Sequence, residues 1–184
     1  ELGQCGIAGV IGFYEGVDLV ESVDHGLSER FAARLGMASV ISPLMETVWL
    51  SPPAWDAPPE GVVFTSARGV EGFTRLQTWR GLAFCVGDRT AEAARLAGFD
   101  AKSAGGGVNQ LADMLEKQGK NLRLFHARGR EVAGDLSSWA RPYVVYEQKP
   151  LALNAEAWAL LERPGIVVLP LFSPRSATRA GVEF

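Results

Sequence analysis

Cysteine and histidine are scarce in this 184-residue chain, which has two of each. Cys5 and Cys85 form no C-x-x-C pair, and two lone thiols in a chain without an export signal are more often buried small side chains than a disulfide. A structural zinc site needs four ligands of the cysteine and histidine type. The sequence therefore predicts neither a disulfide framework nor a metal site.

Strong charge of one sign and long apolar runs are also missing. The formal net charge is -3 and the basic residues are dispersed, whereas nucleic-acid binding favours a clustered basic face. No apolar run approaches the ~20 residues that a membrane-spanning helix needs, and the first residues lack the pattern of a signal peptide. We therefore predict a cytoplasmic protein that binds neither nucleic acid nor membrane, and nothing in the sequence requires more than a monomer.

Strand and helix patterns alternate through the middle of the chain. Apolar runs and helical spacing predict five strands and four helices, the strands at 61–66, 82–86, 101–104, 122–125 and 143–146 and the helices at 67–76, 89–97, 108–118 and 130–139. Such alternation is typical of a parallel sheet covered by helices on both faces. Sheets of this kind bind ligands at the carboxyl ends of their strands.

The two ends of the chain carry further strand and helix patterns. A proline-rich loop precedes the central unit and Lys149-Pro150 marks its exit. We therefore predict that residues 1–46 and 151–184 form one discontinuous α/β domain, and that residues 47–150 form a second. The flanking elements are too few for a complete domain of the same kind, so the first domain is expected to be incomplete and the chain to be trimmed.

Hydroxyl and guanidinium side chains follow several of the predicted strands. The stretches that carry them contain Ser66, Arg68, Thr90, Arg128, Ser173, Arg175 and Ser176. Backbone N–H groups at strand-to-helix turns point outward, and the helix dipole favours anions there. Serine and arginine add donors suited to carboxylate or phosphate. The pattern predicts a site for an anionic ligand, although each hydroxyl could also be only a helix cap.

Tyr146 ends the last strand of the central unit, at the return to the flanking domain. Its position on the expected ligand edge means that the phenol could donate a proton or a hydrogen bond to a leaving group. The alternative is a ring that packs at the joint between the domains. The residues alone leave both interpretations open.

Several stretches resemble motifs of the uroporphyrinogen-III synthases, in matching order over about residues 27–180. They are 42–46 (SPLME), 63–70 (VFTSARGV), 85–91 (CVGDRTA), 124–129 (LFHARG), 145–146 (VY) and 171–177 (LFSPRSA). The resemblance implies two flavodoxin-like parallel-sheet domains with a cleft between them, the first discontinuous. It implies cyclisation of linear hydroxymethylbilane to uroporphyrinogen III, with loss of water and inversion of the last pyrrole ring, without a metal or organic cofactor.

The resemblance also implies roles for particular residues. Tyr146 would be the catalytic residue that assists departure of water. Since the substrate is a polycarboxylate, it would be bound by dispersed donors rather than by one strong nucleophile, and the expected contacts are Thr65, Ser66, Arg68, Thr90, Arg128, Ser173, Arg175 and Ser176. The chain departs from the family in lacking its usual first strand ending in Thr-Arg-Pro and in stopping soon after the last motif.

Two other functions compete with this one. Residues 5–12 (CGIAGVIG) resemble the start of the class II glutamine amidotransferases, whose terminal cysteine is the nucleophile and needs a free α-amino group. Cys5 could serve only after removal of residues 1–4. The other competitor is a non-catalytic binder, in which two α/β lobes hold an anionic small molecule without turning it over.

Overall fold

A computed structural model describes residues 7–12, 39–118, 121–132, 134–164, 166–168 and 181. By its internal contacts the chain divides into two compact units, residues 1–47 with 148–184, and residues 48–147. This division is based on contacts within the chain. It does not test the domain boundaries inferred from the sequence, which stay a prediction. The predicted α/β class with largely parallel sheets is confirmed.

The described elements alternate as the sequence pattern requires. The strands are β1 (Ile7–Gly12), β2 (Ser39–Ile41), β3 (Met45–Trp49), β4 (Gly61–Phe64), β5 (Leu82–Cys85), β6 (Asp100–Ser103), β7 (Leu124–Gly129), β8 (Arg141–Pro150) and β9 (Ile166–Val168). The helices are α1 (Ala67–Leu76), α2 (Asp88–Leu96), α3 (Val108–Gln118) and α4 (Ala155–Leu161). Among the described residues, none of these helices combines the length and hydropathy needed to cross a bilayer.

A six-stranded sheet with the order β3-β8-β7-β4-β5-β6 carries the second unit. The pairs β4–β5, β4–β7, β5–β6 and β7–β8 are parallel. A three-stranded parallel sheet with the order β2-β1-β9 lies in the first unit. Since β4 lies between β5 and β7, the turn that follows β4 stands near the middle of the carboxyl edge of the larger sheet.

Alternate residues of the central strands point to opposite faces, and each face has its own helices. Val62 and Phe64 pack with Val70 and Phe73 of α1 and with α2. Val63 of the same strand packs on the other face with leucines of α3. Both faces of β4 are therefore buried, as expected for a strand at the centre of a parallel sheet.

Side chains cap two of the described helices. The Ser66 Oγ accepts a hydrogen bond from the Gly69 N–H at 3.1 Å and caps α1. In the first unit, the Asn154 side chain caps α4 by accepting from the Ala157 N–H at 2.8 Å. The helix predicted at 89–97 begins one residue earlier, because Gly87 is the cap residue of α2 and Asp88 is already helical.

The predicted helix at 130–139 is also wrong. The described residues between β7 and β8 form bends and a short turn. Asp135 accounts for the local geometry, since its Oδ1 accepts a hydrogen bond from the Ser137 N–H at 2.8 Å, a local bond that competes with a helix. Strand β8 is correspondingly longer than predicted, because it begins at Arg141 and runs to Pro150.

Candidate active site

Three of the predicted site residues, Thr65, Ser66 and Tyr146, lie near one edge of the six-stranded sheet. Thr65 and Ser66 follow β4, and Val86 follows β5. Gly129 ends β7 and is the register partner of Tyr146 in β8. Because these strands are parallel, their carboxyl ends meet at the same edge, where open α/β sheets bind ligands.

The hydroxyl groups of Ser66 and Tyr146 meet at this edge. The Ser66 Oγ lies 3.3 Å from the phenolic oxygen of Tyr146, and either oxygen can be the donor. Since the same Ser66 Oγ also accepts from the Gly69 N–H, the first turn of α1 holds it in place. The phenol is therefore directed by a serine that the helix itself positions.

The Tyr146 ring lies directly over Gly129. A Cβ added at Gly129 would come within 2.8 Å of the ring carbons and 3.1 Å of the phenolic oxygen, so only a residue without a side chain fits beneath the ring. On another side the ring makes an edge contact with Trp49, with the centroids 6.2 Å apart. These contacts restrict the ring and aim its hydroxyl group.

A cavity of about 180 Å³ opens beside the phenol. Three residues that carry hydroxyl groups line it, Thr65, Ser66 and Tyr146. The rest of its wall is formed by Val86, Val108, Val132 and Gly134. The lining thus joins hydrogen-bonding groups to an apolar wall, which suits a ligand that combines an apolar ring with polar substituents.

His126 adds a contact that the sequence analysis did not single out. Its Nε2 lies 3.1 Å from the Thr65 Oγ1, and only 2% of the residue is exposed. Burial and the nearby Arg128 guanidinium lower the pKa of the imidazole to about 4, against a smaller opposing effect of the Asp135 carboxylate. His126 is therefore neutral near pH 7. The signal in the sequence was a lone histidine directly after the strand predicted at 122–125.

The remaining predicted contacts are not among the residues that line the cavity. Arg68 is half-buried in the first turn of α1, and Thr90 is buried in the first turn of α2 with 7% exposed. The Arg128 guanidinium donates to the carbonyl oxygens of Gly129 at 3.2 Å and Arg130 at 3.1 Å. Their binding roles stay predictions.

Four further predicted residues lie outside the described residues: Ser173, Arg175, Ser176 and the candidate nucleophile Cys5. The apolar stretch after Cys5 forms β1, which pairs with β2 on one side and β9 on the other. β1, although it contains glycine, is thus an ordinary paired strand of a parallel sheet.

Comparison with one solved structure supports the fold. The chain is similar to a uroporphyrinogen-III synthetase from Helicobacter pylori, with a TM-score of 0.60 and 14% sequence identity over 96% of this chain and 78% of that one. A mutant uroporphyrinogen III synthase from Thermus thermophilus aligns with a TM-score of 0.49 and 15% identity, over 78% of this chain and 64% of that one. No curated protein matches the chain.

Comparison with family models identifies the family. The model described as uroporphyrinogen-III synthase HemD matches residues 27–180. This match covers most of the chain and confirms the resemblance predicted from the motifs. The chain therefore belongs to the uroporphyrinogen-III synthases, a family of cofactor-independent cyclising lyases of tetrapyrrole biosynthesis.

Proposed function

We propose that this chain cyclises hydroxymethylbilane to uroporphyrinogen III, with loss of water and inversion of the last pyrrole ring. Family membership supports the reaction. The observation that carries the assignment to this site is the 3.3 Å approach of the Tyr146 phenol to the Ser66 hydroxyl at the edge of a cavity with one apolar wall.

In this proposal, Tyr146 assists the first bond cleavage. The phenol gives its proton to the hydroxyl group of the substrate, whose C–O bond breaks so that it leaves as water, while the electrons of the attached pyrrole stabilise the cation that remains. The phenolate regains a proton when the carbon that closes the ring loses one. The Ser66 hydroxyl orients the phenol toward the leaving oxygen. Because the pyrroles stabilise the charge themselves, the protein contributes mainly by folding the linear substrate into a reactive shape and assisting departure of water.

The binding contacts follow from the chemistry of the ligand. The substrate carries carboxylates on pyrrole rings, so it needs both donors and apolar surface. Thr65 and Ser66 offer hydroxyl donors inside the cavity, and the valines beside them offer surface for a ring. Carboxylates beyond the cavity are expected to reach Arg68, Thr90, Arg128, Ser173, Arg175 and Ser176, and guanidinium groups suit them because they can bind both oxygens.

The proposal extends to organisation and location. The two compact units are taken to be two domains, residues 1–46 with 151–184 and residues 47–150, and the active protein is taken to be a cytoplasmic monomer. Light scattering on the eluting protein tests the monomer, for which the mass should be close to 19.8 kDa. A mass twice as large would contradict that part of the proposal and leave the chemistry intact.

A product analysis tests the reaction itself. Freshly made hydroxymethylbilane is incubated with the wild-type protein, and the oxidised uroporphyrins are separated by isomer. We expect the type III isomer, whereas the spontaneous reaction, represented by a sample with heat-denatured protein, yields the type I isomer. Type I alone from the native protein would overturn the proposal, and ligand binding without turnover would favour the non-catalytic binder.

A further inference from the structure

We propose that His126 is a positioning residue for the reaction, which holds the Thr65 hydroxyl against the cavity that Thr65 shares with Ser66 and Tyr146. The inference rests on the proposed function, because that cavity is taken to be the place where the substrate reacts. The contact that carries it is the 3.1 Å distance between the His126 Nε2 and the Thr65 Oγ1.

The register of the sheet explains why His126 is buried while Thr65 is accessible from the cavity. His126 lies in β7, and its register partner in β4 is Val63, two residues before Thr65. Thr65 comes directly after Phe64, the last residue of β4, so it stands nearer the carboxyl edge of the sheet than Val63. The imidazole is buried while Thr65 lines the cavity, so the imidazole approaches Thr65 from the side of the core.

The protonation state of His126 gives this contact a defined chemistry. Burial and the Arg128 guanidinium keep its pKa low, at about 4, while the Asp135 carboxylate opposes them. A neutral imidazole has one N–H donor and one acceptor nitrogen, and a threonine hydroxyl has one proton and two lone pairs. The bond to Nε2 uses one of these sites, which leaves the remaining capacity of Thr65 for a group in the cavity.

The contact between His126 and Thr65 also affects the Tyr146 phenol, because Thr65 and Ser66 are adjacent in the backbone. Thr65 is followed directly by Ser66, which caps α1 and lies 3.3 Å from the Tyr146 hydroxyl. When the His126 imidazole holds the Thr65 side chain, it therefore restrains the turn that carries the Ser66 hydroxyl. If His126 had only a structural role, its substitution would lower stability, and its effect on the rate would not depend on Thr65.

A double-mutant cycle tests this coupling. His126→Leu and Thr65→Val each remove one partner at similar volume, and the double variant removes both. We expect kcat/KM to fall about tenfold in each single variant, and His126→Leu to have less than about a twofold effect once Thr65 is valine. His126→Gln, whose amide can reach the position of Nε2, should recover kcat/KM to within about threefold of wild type. Equal losses from His126→Leu in both backgrounds would overturn the inference.

If the His126→Leu variant does not fold, a second measurement still tests the inference. The chain has only two histidines, so the ¹⁵N resonances of its imidazoles can be assigned. Thr65→Val should shift the Nε2 resonance of His126 and lower kcat/KM, and an unshifted resonance or an unchanged rate would overturn the inference. Failure of the wild-type protein to form type III product would overturn the proposed function, and with it this inference. Wild-type activity that His126→Leu retains would overturn the inference alone.

Discussion

The Oγ of Ser66 lies 3.3 Å from the phenolic oxygen of Tyr146, although 80 positions separate the two residues in the chain. The pair joins the first turn of α1 to strand β8. It places a phenol, directed by a serine that the helix holds in place, beside a cavity lined by further hydroxyl and valine side chains.

Tyr146→Phe should lower kcat at least about tenfold, because it removes the hydroxyl that assists the leaving group. The ring can stay over Gly129 and beside Trp49, so the fold should be retained, as circular dichroism would verify. The measurement is the initial rate of type III formation. An unchanged rate would make Tyr146 a packing residue.

Tyr143→Phe is the matched control in the same strand. The Tyr143 hydroxyl accepts a hydrogen bond from the Gln77 side chain at 2.8 Å, and its ring packs in the buried aromatic cluster with Phe73 and Phe125. Loss of this hydroxyl should cost about 1 kcal/mol in the free energy of unfolding and leave kcat unchanged. Equal losses of activity in both tyrosine variants would argue against a special role for Tyr146.

Gly129→Ala should reduce activity by displacing the phenol. The new methyl group would come within 2.8 Å of two ring carbons of Tyr146, and the ring cannot keep its place beside such an atom. Gly61→Ala is the control, since its methyl group would meet the terminal Cδ2 of Leu124 at 2.8 Å, away from the cavity. The rate of type III formation should fall about tenfold in Gly129→Ala and stay near wild type in Gly61→Ala.

Acid should destabilise the fold through His126. Its pKa is about 4 in the folded chain and 6.5 as the ordinary value. Between these values the unfolded chain binds more protons, so the free energy of unfolding falls as the pH drops from 6.5 to 4, by about 3 kcal/mol. Of the charged groups near the imidazole, the Arg128 guanidinium lowers the pKa of His126 and the Asp135 carboxylate raises it, and the Ser137 hydrogen bonds lower the pKa of that carboxyl.

Urea denaturation at several pH values measures this dependence. His126→Gln removes the titrating group and should flatten the curve between pH 6.5 and 4 relative to the wild-type protein. Curves of the same slope for both proteins would show that His126 does not account for the acid sensitivity.

Cys85 should be unreactive in the native protein. The side chain is fully buried in β5, and burial raises the pKa of its thiol to about 12 despite the nearby Arg95 guanidinium. Iodoacetamide followed by peptide mass spectrometry should label Cys85 only after unfolding, because the thiolate is the reactive form. Rapid labelling of the folded chain would contradict the buried position.

Local signals in the sequence were sufficient for much of the fold. The alternation of apolar runs and helical spacing predicted α1 with its observed ends, and Ser66 and Asn154 cap their helices because their side chains can accept from the first turn. The segment at 130–139 misled the prediction because its helical spacing competes with the local hydrogen bond between Asp135 and Ser137.

The candidate site was predictable only in part, for a physical reason. Thr65 and Ser66 follow β4, and Tyr146 was expected to end its strand, so their proximity at one edge of a parallel sheet could be inferred, although Tyr146 lies inside β8. The contact of His126 with Thr65 depends on the register between β4 and β7, which aligns Val63 with His126. Strand register comes from long-range packing, and one sequence does not reveal it.

The most direct test of the central claim is the isomer composition of the product as wild-type protein is added in increasing amounts to freshly made hydroxymethylbilane. Enzymatic cyclisation competes with spontaneous closure, so the fraction of type III product should rise with protein concentration until it dominates. A fraction of type III that stays at the level of the heat-denatured control at every concentration would contradict the account.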